Sequence, residues 1–202
     1  MSSGTSVPPH IVDAASHVLA QDGLAAATLE RISAAAGVSR MTLHRRGVSK
    51  QDILRALTER LEADYRDAMW EALVARGPAA DRLRIALERL CDVSERNLGL
   101  LDGLSASARD AIYHEPEGSR LTRSVFVEPL ERLLLDGLAD GSLAAVDARE
   151  MATVLFNAVG HTYRHLRTGH GWDAERARAG ILELAMSGLV ARSGTRGPKK
   201  PH

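Results

Sequence analysis

Residues 28–50 read TLERISAAAGVSRMTLHRRGVSK, and their local chemistry predicts two short helices meeting at a tight corner. Thr28 is a good N-cap for a helix over Leu29 to Ala36, because its side-chain oxygen can accept one of the backbone N–H groups a helix start leaves free. Gly37 then permits the positive φ a corner needs. Ser39 caps a second helix over Arg40 to Arg46, again followed by a glycine, Gly47. Ala35 and Ala36 are small enough to let the helices cross closely, and Ile32, Val38 and Leu43 can fill the core beneath them. This is the plan of a helix-turn-helix. From Ser39 to Lys50 the chain carries Arg40, Arg45, Arg46 and Lys50 and no acid. A helix that docks in a nucleic-acid groove needs such a local excess, since phosphate neutralisation supplies most of the affinity.

Outward from this stretch, the pattern is helical throughout. Pro9 suits the first turn of a helix to about Asp22, with Gly23 as its stop. Ser49 caps a long helix with Ile53, Leu54, Leu57, Leu61 and Tyr65 at helical spacing, ending near Arg76 before Gly77-Pro78. Longer helices are expected over Ala79 to Leu101, Ser119 to Ala139 (with Pro129 kinking or restarting it), Ala148 to Arg167 and Asp173 to Arg192. A short helix is expected over Ser105 to Tyr113. The fold class is therefore all-α. An N-terminal helix-turn-helix domain over 9–50 sits on a larger helical body over 51–192, with 193–202 as an aperiodic, disordered tail.

The matching residues Thr28, Ile32, Ala36, Gly37, Val38, Ser39, Thr42, Leu43, Ser49 and Lys50 make residues 10 to 58 resemble the DNA-binding domain of the TetR family of bacterial transcriptional repressors. Three departures stand out: Ser33 replaces the usual Ala, a mild change, His44 occupies a position where that family commonly has Tyr, and Arg46-Gly47 stands where it commonly has an aromatic pair. The resemblance implies that Thr28 and Lys50 clamp phosphates beside helix N-termini. It implies that Arg40, Met41 and Thr42 reach base edges, with His44 and Arg45 facing the backbone or groove wall and Ser39 and Arg46 in the same DNA-binding set. It further implies a homodimer on a palindromic double-stranded operator, released by a small-molecule effector bound in the body. A small-molecule-binding helical protein with weakened or atypical DNA binding is the alternative reading.

The 202 residues are formally neutral, 26 basic against 26 acidic, so the positive charge that binds DNA has to be local. No run is long and apolar enough to span a bilayer. The N-terminus lacks the basic and apolar regions of a signal peptide, which makes a cytoplasmic protein the expectation. A lone cysteine, Cys91, rules out an internal disulfide and CxxC metal knuckles. His161 and His165 stand four apart, but no third ligand follows at a suitable spacing, so no metal is expected. There is no phosphate-cradling glycine loop, no Gly-x-Ser-x-Gly and no convergent carboxylate pair, so neither enzyme activity nor a cofactor is expected.

Within the body, polar residues interrupt apolar stripes: Ser94 in the Leu83–Leu98 stripe, and Asn157 and His161 on the helix that carries Phe156. A buried polar group without a partner costs about 1–3 kcal/mol, so these positions mark an expected ligand cavity. Its lining is expected to come from Trp70, Leu87, Cys91, Phe126, Leu130 and Phe156, with Ser94, Asn157 and His161 orienting the ligand. Met151, Leu155, Ala158, Thr162 and Leu166 form one further stripe, and Ala177, Ile181, Leu184, Gly188 and Leu189 another. Together they predict a four-helix dimer interface.

Overall fold

The computed structural model describes residues 6–103 and 124–190. The first helices are α1 (Pro9–Ala26), α2 (Leu29–Ala35), α3 (Arg40–Arg45) and α4 (Lys50–Val74). They are followed by α5 (Ala79–Arg96), α6 (Leu98–Gly103), α7 (Glu128–Asp140), α8 (Ala148–Thr168) and α9 (Ala174–Ser187). Among the described residues the only extended pairing is an isolated antiparallel bridge between Leu143 and Val190. The helix expected over Ser105 to Tyr113, the first residues of the one expected from Ser119, and the tail lie outside the described residues.

Local chemistry places most boundaries. Thr28, Ser39, Asp147 and Asp173 each accept a backbone N–H from the first turn of the helix they precede. Ser49 and Asp52 form a reciprocal capping box at the start of α4. Gly23 interrupts α1 with φ 74°, and Pro129 sits in the first turn of α7, so that helix restarts rather than kinks.

The helix expected to run from Ala79 to Leu101 instead breaks at Asn97, whose φ of −116° and ψ of 15° leave the helical region. The reason is tertiary. After the break, α6 turns its glycines onto α1, where a Cβ on Gly99 would overlap the Leu19 carbonyl and one on Gly103 would overlap the Leu24 Cβ.

Helix α5 is the spine of the body, packing on α4, α6, α7, α8 and α9. Its buried stripe includes Leu83, Leu87, Leu90 and Ser94. Ion pairs brace it: Arg82 to Asp136 of α7 at 3.0 Å, and Glu95 to Arg167 of α8 at 2.7 Å. Helix α4 joins the two parts without interruption. Its Ile53 and Leu57 belong to the same buried cluster as the head residues Ile32 and Leu43, and Tyr65 and Met69 continue that cluster into the body.

Candidate nucleic-acid interface

The head is built to hold α3 from behind and leave its front open. Ile32 and Leu43 are buried, and Val38 packs against them half-exposed. Gly37 takes φ 67° at the corner, a conformation costly for any residue with a Cβ. Ala35 is exposed, so only Ala36 of the two small residues is partly covered by the crossing.

Position 47, where the resemblance leads one to expect an aromatic, is a left-handed corner at φ 65°. The anchoring that aromatic would provide comes from Val48. Its side chain is buried and its N–H donates to the Leu43 carbonyl at 3.1 Å. Sequence reasoning missed Val48; the apolar residue directly after Gly47 is the signal that could have found it.

On the outer side, Arg40, Met41, His44, Arg45 and Arg46 are all exposed, Met41 at 64%. Thr42 is half-buried, and its hydroxyl lies 2.9 Å from that of Ser39, whose oxygen also accepts the Thr42 N–H. Thr28 is exposed at the start of α2, its oxygen accepting the Arg31 N–H at 3.2 Å. Two acids of the head and its junction with α4 are paired. Asp22 pairs with Arg31 at 2.8 Å, and Asp52, held below the usual carboxylate range chiefly by its hydrogen bond from Ser49, pairs with Arg55. Lys50 is the exception to an open basic face: its Nζ donates to the Leu24 carbonyl at 3.3 Å.

The residues expected to line a ligand cavity divide. Ser94 is buried, and Leu87, Cys91, Phe126, Leu130 and Phe156 are all buried in one cluster. Its centre is occupied by Tyr65, which sequence reasoning assigned only to a core stripe. The Tyr65 ring lies 5.1 Å from that of Phe126 and 5.9 Å from that of Phe156, and its hydroxyl donates to the Phe126 carbonyl at 2.8 Å. Ser94 is satisfied within its own helix, donating to the Leu90 carbonyl at 2.8 Å. Burial pushes the Cys91 thiol up to about 12, away from thiolate chemistry.

Trp70 is not part of the cluster, being 65% exposed on α4. Asn157 is half-exposed and donates to the Thr153 carbonyl, and His161 is half-buried with its ring 3.4 Å from the Arg164 guanidinium. Among the described residues no group of three or more His, Cys, Asp or Glu side chains converges as a metal would require. Among the described residues no helix is long and apolar enough to cross a membrane.

Comparison with known proteins agrees with this geometry. Residues 11–57 match the model of the bacterial regulatory proteins of the tetR family. The fatty acid metabolism regulator protein of Bacillus subtilis (strain 168) is 21% identical over 89% of this chain and 93% of its own length. A TetR transcriptional regulator of Streptomyces coelicolor is 26% identical, with a TM-score of 0.61 over 91% of this chain and 98% of its own. The Bacillus subtilis regulator solved in complex with stearoyl-CoA is 22% identical, with a TM-score of 0.61 over 89% and 97% of the two chains. The capped, outward-facing α3 and the all-helical body agree with these matches: residues 11–57 are similar to the bacterial regulatory proteins of the tetR family, and the described chain shares the fold of TetR transcriptional regulators of known structure.

Proposed function

We propose that the protein is a cytoplasmic, non-enzymatic, ligand-responsive repressor, acting as a homodimer that places α3 of each subunit in successive major grooves of a palindromic operator. Residues 9–50 are the DNA-binding domain and 51–192 the regulatory and dimerisation domain. The observation that carries this reading is α3 itself: six residues anchored by buried Leu43, with Arg40, Met41, His44 and Arg45 facing outward and no acid among them. Arg40 reads a guanine edge, and Met41 with the Thr42 methyl meets a thymine methyl. Arg45, Arg46, His44, Ser39, Thr28 and Lys50 contact the phosphate backbone.

The effector is a small, largely apolar molecule. The relative solved with stearoyl-CoA supports a greasy ligand.

Operator binding measured against salt tests the assignment. Log affinity should fall linearly with log salt, and Lys50→Ala should flatten that slope by about one phosphate while weakening all sequences alike. Arg40→Ala should cost about 1–3 kcal/mol and relax base preference at one position of each half-site. An unchanged sequence preference in Arg40→Ala would remove its base-reading role.

A further inference from the structure

The joint between head and body carries an open cleft of about 750 Å³, within the size range of small-molecule sites. Leu19, Ala20 and Leu24 of α1 form its head wall, and Leu98 of α6 faces them from the body. Three polar side chains reach it: Lys50, Asp102 and Thr168. Two are already engaged by Arg164. Asp102 pairs with its guanidinium at 3.4 Å, and Thr168 donates to its carbonyl at 3.1 Å.

Lys50 differs. An ammonium has three donors, and here one is used, on the Leu24 carbonyl at 3.3 Å, the long end of the hydrogen-bond range. That carbonyl also accepts the Ala27 N–H at 3.2 Å. Withdrawing Lys50 therefore leaves no orphaned acceptor, and the ammonium is cheaply diverted to an anion.

We propose that this cleft is an effector site for a small monoanionic amphiphile, its apolar body against Leu19, Leu24 and Leu98 and its anionic group on Lys50. Through the DNA-binding role proposed above for Lys50, on which this part rests, the occupant competes with an operator phosphate for one ammonium. It also acts on the joint. Gly99 brings the α6 backbone directly against the α1 backbone at Leu19, and Gly103 brings it against the Leu24 side chain. Filling the cleft beside that seam shifts the head relative to the body, and occupancy lowers DNA affinity.

The test uses the full chain and 8-anilinonaphthalene-1-sulfonate, a monoanionic amphiphile that fluoresces when bound. Lys50→Gln should weaken binding about fivefold or more. Ala20→Trp and Thr168→Trp fill the cleft from exposed positions that do not disturb the core, and each should abolish binding. Trp70→Ser, on a different exposed apolar surface, should leave it unchanged. Failure of the probe to bind, or binding indifferent to Lys50→Gln and to both Trp variants, overturns the site. With DNA present, saturating probe should lower operator affinity about fivefold or more in the unaltered chain, and an unchanged affinity overturns the coupling. Because the titration contains no DNA, a chain that bound no operator would fail the regulator reading and leave the cleft result standing.

Discussion

Glu95 shows how one side chain can tie two helices together and make stability depend on pH. It accepts a bidentate pair of hydrogen bonds from Arg167 at 2.7 and 2.8 Å and a third bond from the Tyr163 hydroxyl at 2.9 Å. Arg167 is the main reason its carboxyl lies below the usual range, with Tyr163 adding to the effect. A carboxyl whose folded pKa is depressed stabilises the fold above its unfolded value, near 4.3, and loses that contribution as pH falls through the folded value. Glu95→Gln should therefore cost about 1–3 kcal/mol at pH 7, and its melting temperature should converge on that of the unaltered chain as pH drops below about 4. Parallel thermal melts at the two pH values check this; a constant gap would mean that packing, not charge, explains the loss. Cys91 gives a simpler test. Buried and with its pKa raised to about 12, it should resist a thiol reagent at pH 8 until the chain is unfolded.

At the scale of elements, α3 is too short to be stable alone. It holds its shape through the Ser39 cap, the buried Leu43 and the Gly47–Val48 corner. Leu43→Ala should cost about 2–5 kcal/mol and abolish operator binding, because the anchor beneath the basic face is lost while every charge remains. Calorimetry paired with a gel shift measures both, and retained binding at full affinity would show that α3 is positioned by its caps alone. The caps and corner were legible because they depend on residues three or four apart. The break at Asn97 was not: the stripe from Leu83 continues in phase to Leu98, and the break is decided by the fit of Gly99 and Gly103 against α1.

For the whole molecule, the outer face of α8 and α9 stays open. Leu184 is 78% exposed and Val154 55%, beside an apolar groove of about 270 Å³ that also takes in Met151, Ala158 and Gly188. A contiguous exposed apolar face of this kind is a candidate interface, and in the homodimer proposed above two such helices from each subunit would close as a four-helix bundle. A central charge should disrupt it, so Leu184→Glu should sediment as a monomer at micromolar concentration while the unaltered chain sediments as a dimer. A monomeric unaltered chain would leave the face without this partner. Dissociation should also weaken operator binding severely, because the two heads then bind independently.

The sequence by itself determined what nearest neighbours along the chain can decide. The caps at Thr28, Ser39 and Ser49, the corners at Gly37 and Gly47, the local cluster of Arg40, Arg45, Arg46 and Lys50, and the inward stripe of α4 all rest on contacts within a turn or two. Tertiary structure decided which apolar faces meet and which polar groups find partners. Spacing of four from Ile53 through Leu57, Leu61 and Tyr65 runs on to Met69, which places Trp70 off the buried stripe. Only the packed structure shows that nothing among the described residues buries it, that Tyr65 fills the space between Phe126 and Phe156, and that Lys50 rests on the Leu24 carbonyl. Those contacts join residues 26 to more than 80 positions apart, and helical periodicity fixes the face a side chain occupies without fixing what lies opposite it.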